Sequence, residues 1–89
     1  MAKEEIEKIF IGSKELSKYL TAGLWALNTG KDICLIGRGQ NIKKTVDVAE
    51  ILKRNMNNPE CSVIIGSEDF ENRKVSTIEI TLKGTLKKK

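Results

Sequence analysis

Apolar and polar positions change their spacing several times along this chain, and each change marks an element. Ile6 to Ile11 holds a short apolar run, IFI, that reads as a first strand, and Gly12-Ser13 breaks it. Ser13 is placed to cap a helix, its hydroxyl accepting a backbone N–H of the next turn, with Glu15 near the positive helix end. Leu16, Leu20, Gly23, Leu24 and Leu27 recur at three- and four-residue steps, which predicts a helix with one buried face. Asn28-Thr29-Gly30 ends it, Gly30 being suited to a left-handed C-cap.

Asp32 to Gly37 reads as a buried strand, because ICLI is apolar on both faces. A second helix starts near Asn41, which can cap it. Its inner face is expected to hold Ile42, Thr45, Val46, Ala49, Leu52 and Met56, with Lys43, Asp47, Glu50 and Arg54 opposite. Asn57-Asn58-Pro59 ends it, since proline pushes its predecessor out of helical geometry. Two strands follow, about Cys61 to Ser67 and Val75 to Lys83. In the second, Ser76, Ile78, Ile80 and Leu82 alternate with Val75, Thr77, Glu79 and Thr81, the period of a sheet with one buried face. Between them EDFENRK is polar around Phe70 and longer than a tight hairpin turn requires, so it is expected to project as an arm. The order β-α-β-α-β-β predicts crossovers joining parallel strands and a final antiparallel hairpin. The fold class is α/β: a two-layer sandwich of a mixed four-stranded sheet with two helices on one face.

Eighty-nine residues suit one domain, 1–89, with a basic tail at 84–89, and a domain this small gains from pairing with a second copy. Hydrophobic residues at 39% and charged residues at 31% fit a globular chain rather than a disordered one. No apolar run approaches the ~18 residues of a membrane span. MAKEEIEK is acidic and polar, unlike a signal peptide, so an intracellular protein is expected. Cys34 and Cys61, both in apolar strand-like runs, are expected as buried free thiols.

Lysine and arginine number 16 against 12 acids, a net charge of +4, and the excess is uneven. Arg38, Lys43, Lys44, Lys53 and Arg54 face only Asp47 and Glu50 within their stretch, whereas Glu4, Glu5 and Glu7 dominate the start. The stretch CLIGRGQNIKKTVD raises the question of a phosphate grip. A dinucleotide site requires G-x-G-x-x-G between strand and helix, and Ile42 occupies the third glycine's place; no P-loop is present. A strand–glycine–helix turn still makes an anion site, with close backbone approach, outward N–H groups and an arginine able to clamp a phosphate. Lys43 and Lys44 in the first helical turn oppose the helix dipole, a cost that a bound polyanion would offset. A tight turn with solvated lysines is the alternative reading of the same residues.

The residues resemble the Alba family, small basic chromatin and RNA-binding proteins of archaea with eukaryotic relatives in ribonuclease P and MRP particles. The resemblance runs from IFIGSKELSKYL through GRGQNIKKTVDVAEIL to KVSTIEITLK, nearly the whole chain. It implies that Lys14 stands at a phosphate-binding lysine, with Ser13 replacing the other lysine of the pair. It places Arg38 at the first arginine of the family's R-G-R, Gln40 at the second, and Lys44 at the lysine of the helix start, with Lys43 beside it. The implied nucleic-acid-binding set is Lys14, Lys18, Arg38, Gly39, Gln40, Asn41, Lys43, Lys44, Arg73 and Lys74, the last two on the arm among Glu68, Asp69 and Glu71. Met56 falls where members carry a residue that joins dimers along DNA. The implied partners are double-stranded DNA, RNA and a second copy of the chain, with a cytoplasmic, chromosome-associated location.

The expected mechanism is binding rather than catalysis, with no cofactor, metal or small-molecule substrate. The chain has no histidine, the usual neutral-pH base, and no serine or cysteine beside a recognisable base. The alternative is a protein-interaction subunit of a ribonucleoprotein particle such as ribonuclease P, for which Tyr19 and Trp25 offer interface aromatics.

Overall fold

The computed structural model describes residues 5–87, so Lys88 and Lys89 of the expected tail lie outside it. Strand β1 (Ile6–Phe10), helix α1 (Leu16–Asn28), strand β2 (Asp32–Arg38), helix α2 (Ile42–Arg54), strand β3 (Met56–Phe70) and strand β4 (Arg73–Leu86) follow in that order, with a single 3-10 turn, Gly39–Asn41, before α2. The sheet order is β1-β2-β4-β3. β1 and β2 are parallel, and β4 runs antiparallel to both β2 and β3. The expected two-layer α/β architecture is therefore present, with β4 inserted between the parallel strands β2 and β3.

Register decides which residues meet the helices. Ile9, Leu35 and Ile80 stand side by side across three strands, as do Ile33 and Leu82, and Gly37 and Ile78. These side chains share one face and form the core with Tyr19, Ala26, Leu27, Val48, Ala49, Leu52 and Met56. Fully burying one such aliphatic side chain stabilises the fold by ~1.5–3 kcal/mol.

Both helices bury most of the expected face, with its edge shifted by one position. In α1 the buried positions are Tyr19, Gly23, Ala26 and Leu27, while Leu24 is partly exposed. In α2 they are Thr45, Val48, Ala49 and Leu52, with Val46 turned outward. The small residues expected at the helix contact are buried: Gly23 lets the helices approach closely, and a Cβ on it would stand 2.7 Å from a Leu52 methyl. Neither expected cap forms. Ser13 precedes a turn, Glu15 takes the N-cap position, and α1 starts with the Lys18 N–H donating to the Glu15 carbonyl at 3.0 Å. Asn41 takes the N-cap position of α2 without a side-chain cap, because the 3-10 turn delivers it there at φ −90°. Gly30 does end α1 at φ +89°.

The chain beyond α2 is more strand than expected. The helix stops at Arg54, and Met56 already belongs to β3. Asn58-Pro59 makes a bulge between Asn57 and Glu60, since proline has no N–H for the ladder. EDFENRK is not a loop. β3 and β4 pair through to Phe70 and Arg73, and only Glu71-Asn72 turn, both at positive φ, as in a two-residue hairpin. Past the last β2–β4 pair, Arg38 with Thr77, this ribbon continues alone and projects from the body. Cys34 is a buried free thiol, but Cys61 is exposed, because β3 is the sheet edge and lies beyond the helices.

Gly37 is the residue on which the approach of α2 to β2 depends. A Cβ there would collide with the Thr45 hydroxyl, which is fully buried and donates to the Asn41 carbonyl at 2.8 Å. Gly37→Ala is expected to cost ~1–3 kcal/mol, read as a lower denaturant midpoint with unchanged slope. The loss should shrink in a Thr45→Ala background, where the colliding oxygen is gone.

Candidate nucleic-acid interface

The C-terminal ends of β1 and β2, the N-terminal ends of both helices and the projecting ribbon all lie at one end of the sheet. Three separated segments bring their cations there: Lys14 and Lys18 around the β1–α1 turn, Arg38 to Lys44 at the β2–α2 turn, and Arg73-Lys74 on the ribbon.

The β1–α1 turn is held from two sides. The Tyr19 hydroxyl, on α1, accepts the N–H groups of Gly12 at 2.8 Å and Lys14 at 3.1 Å. The Lys44 ammonium, on α2, donates to the carbonyls of Gly12 and Lys14, each at 2.8 Å, and lies 5.9 Å from the Tyr19 ring centre. Lys44 thus offers two of its three donors to the β1–α1 turn, a positioning role beside the phosphate contact expected of it. Its ammonium still leaves a positive charge under the turn that carries the exposed Lys14.

The β2–α2 turn combines two glycines with different tasks. Gly37 provides space for Thr45, whereas Gly39 sits at φ +51°, a left-handed conformation that leads the chain into the 3-10 turn. Ile42, which stands in place of a third phosphate-loop glycine, packs partly against the core. Lys43 is highly exposed and pairs with Asp47 at 3.0 Å, one turn on, which relieves its opposition to the helix dipole. Arg38 reaches across the sheet to Glu68 on β3, Nε to Oε1 3.4 Å, with both side chains more than half exposed.

Between the turn and the ribbon runs an open groove of about 680 Å³, lined by Gly39, Gln40, Ile42, Arg73, Lys74, Val75 and Ser76. Four of the expected residues, Gly39, Gln40, Arg73 and Lys74, therefore line one groove. Asn41 lies on the other side of the turn with Arg38, in a cleft of about 260 Å³ shared with Phe10, Ile11 and Ile36. Lys74 faces Asp69 at 4.0 Å across the ribbon. Lys18 is exposed on the first turn of α1. Met56 does not belong to any surface: it is 2% exposed within the core, so it offers no side chain to a neighbouring dimer. Its apolar character at the junction of α2 and β3 serves packing.

Sequence reasoning missed three participants. Tyr19 was legible only as an aromatic on α1, and Glu68 only as one acid of the arm; their roles need the register. Phe10 could have been found, because alternation with Ile9 and Ile11 already sets it on the opposite face. Among the described residues no group of three or more His, Cys, Asp or Glu is placed to hold a metal, and no helix is long and apolar enough to cross a membrane.

The fold and this end of it define a small two-layer α/β protein whose cations gather beside glycine bends and a projecting β-ribbon. The chain belongs to the Alba family, whose model matches residues 7–68. The DNA/RNA-binding protein Alba of Nitrosopumilus maritimus (strain SCM1) is 40% identical over 91 residues, spanning 93% of this chain and 96% of that protein. A protein of the same name from Methanocella arvoryzae is 35% identical over 83 residues, spanning 84% of this chain and 86% of that one. Among solved structures, Alba from Thermoplasma volcanium superposes with a TM-score of 0.68 at 32% identity, over 85% of this chain and 98% of that chain. ALBA1 from Trypanosoma brucei shares the fold at a TM-score of 0.76 and 18% identity, over 89% of this chain and 69% of that one. These relatives are named as binding proteins, not enzymes.

The doubly held turn is open to direct measurement. Tyr19→Phe removes the acceptor of two N–H groups, at an expected cost of ~1–3 kcal/mol, and amide exchange at Gly12 and Lys14 should accelerate more than exchange in α2. Lys44→Met should affect the same turn, and the two losses should be non-additive in a double-mutant cycle.

Proposed function

We propose that the chain works as one Alba-type domain that binds DNA and RNA as a homodimer, chiefly through phosphates, in chromosome organisation or RNA stabilisation in the cytoplasm. The observation that carries this reading is the gathering of Lys14, Arg38, Lys43, Arg73 and Lys74, from three separated segments, at one end of the sheet, where Arg73 and Lys74 line an open groove with Gly39 and Gln40. Arg38 supplies a planar cation for two parallel phosphate bonds, and the lysines act as point charges. Gln40 and Asn41 add uncharged hydrogen-bonding groups beside them. Contacts of this kind fix position without reading sequence, so affinity depends on salt through counterion release. The archaeal relatives, named as DNA/RNA-binding proteins, support the same partner class.

Support for a second copy comes from the edge strand. Val63 and Ile65 stand opposite Ile80 and Ile78, on the helix-side face of the sheet, yet are 52% and 75% exposed. With Cys61 they form an apolar strip beyond the reach of the helices, and an uncovered strip of this kind on an edge strand favours association. Pairing along it would bring two cationic ends into one assembly and lengthen the surface available to a polynucleotide. An interaction role in a ribonucleoprotein particle is the second reading, favoured by Trp25, 64% exposed on the outer side of α1.

Arg38→Ala is expected to weaken binding to unrelated duplexes by similar factors and to flatten the slope of log affinity against log salt by about one unit. Glu68→Gln should act in the opposite direction, raising affinity at low salt, because it releases Arg38 from its internal counter-charge. Loss confined to one sequence, or no change with either variant in a salt-series titration, would remove the phosphate role. Ile65→Asp should give a monomer by light scattering and lower nucleic-acid affinity without unfolding the chain; a wild-type monomer would sink the dimer.

A further inference from the structure

The face of the sheet turned away from the helices has no element over it among the described residues, and the register states which side chains it carries. Phe10 stands beside Ile36 on that face. Arg38 is the next residue of β2 to point the same way, and it pairs with Thr77 of β4. Two residues back along β4, Val75 pairs with Glu68, and Arg73 pairs with Phe70. A strip of Phe10, Ile36, Arg38, Val75 and Phe70 therefore crosses all four strands diagonally. Its two aromatic rings are exposed, Phe10 by 64% and Phe70 by 53%.

Arg38 lies between two clefts of this strip. One, of about 260 Å³, is lined by Phe10, Ile36, Arg38 and Asn41 with Ile11. The other, of about 240 Å³, is lined by Arg38, Glu68, Phe70, Arg73 and Val75. Each cleft thus joins an exposed phenylalanine to the same guanidinium, and each adds a further hydrogen-bonding side chain, Asn41 in one and Arg73 in the other.

We propose that this face is a stacking platform for the unpaired bases of single-stranded nucleic acid, with Phe10 and Phe70 as the stacking rings and Arg38 holding the strand between them. The proposal rests on the nucleic-acid reading above and names the form of ligand that this face takes. A base offers its ring face to an aromatic side chain only when it is free of a duplex, and such stacking tolerates any base. Arg38 and Arg73 answer the phosphates, and Asn41 can both donate to and accept from a base edge. Through Ile36, Phe10 is level with Glu79 on β4, and Phe70 is level with Arg73, six positions along. In a flat sheet that separates the rings by roughly 25 Å, the span of a segment of several nucleotides rather than of one.

A protein partner fits this face less well. Lys8, Glu79, Thr81 and Lys83 share it with the two rings, and protein interfaces exclude charge from their centres. The continuous apolar strip of Cys61, Val63 and Ile65 lies on the other side of the sheet, where a second copy has no charged row to cover. Glu68, which holds Arg38 at 3.4 Å, becomes the group that an incoming phosphate displaces.

The test compares the full chain and its Phe10→Ala and Phe70→Ala variants on three ligands by fluorescence anisotropy: a short oligouridine, an abasic strand of equal length and charge, and a duplex RNA of that length. Each alanine variant is expected to lose roughly 5- to 150-fold in affinity for oligouridine while duplex affinity stays within about twofold. Phe10→Tyr and Phe70→Tyr should retain oligouridine binding, and Phe10→Leu, which keeps bulk but not the ring, should lose it. The inference is overturned if oligouridine and the abasic strand bind the native chain equally, or if duplex and single strand weaken together in the alanine variants. Duplex bound with no single-strand binding overturns the platform and leaves the phosphate reading standing. Failure of the native chain to bind any of the three overturns both.

Discussion

The β1–α1 turn is held by two side chains from two different helices, and the layout of the cationic end depends on that arrangement. Tyr19 takes the turn's N–H groups and Lys44 takes its carbonyls, so the polar backbone of a chain reversal next to the core is satisfied without water. The ammonium over the tyrosine ring adds a cation–π contact. In consequence α1 and α2 start at the same end of the sheet and close to each other, and Lys14 is presented beside the β2–α2 turn although 24 positions separate it from Arg38. A charge that looks in sequence like one more exposed cation is the tie that sets where Lys14 stands.

The remaining cations divide by the company they keep. Arg38, Lys43 and Lys74 each face an acid within the described residues, Glu68, Asp47 and Asp69, while Lys14, Lys18 and Arg73 have no described acid paired with their side chains. These pairs are solvent-exposed, so they bind weakly and exchange readily for a stronger anion. The result is a surface that is positive in total yet partly self-neutralised, and its ribbon carries more acids, Glu68, Asp69 and Glu71, than bases, Arg73 and Lys74. Such a surface favours loose, salt-sensitive contact over a tight electrostatic clamp.

Two faces of one sheet have separate characters because β3 extends past everything that could cover it. Toward the helices the edge strand shows a continuous apolar strip; away from them the sheet mixes charged and hydroxyl side chains with two exposed rings, Ile36, Val75 and the exposed Ile64. The period-two alternation of the strands produces this split without further design, since adjacent residues in any strand must serve opposite faces.

Sequence alone determined the order of elements, the mixed sheet with two helices, and the glycine-bent turn carrying Arg38, Lys43 and Lys44. These follow from local spacing, from apolar runs bounded by glycine, and from the family's motifs, none of which needs knowledge of distant contacts. It marked most of each buried helix face, Gly23 and Leu27 on α1 and Thr45, Ala49 and Leu52 on α2, but not its edges, where Tyr19, Ala26 and Val48 are buried while Leu24 and Val46 face outward. Nor did it separate the polar segment Glu68 to Lys74 from a loop, since the pairing that makes it a ribbon lies in its backbone rather than in its side chains. The tertiary structure decided that Lys44 holds the β1–α1 turn, that Met56 is core, and that Glu68 meets Arg38. The contacts of Lys44 with Gly12 and of Arg38 with Glu68 join residues 30 or more positions apart in sequence, and a one-dimensional pattern holds no record of such distances.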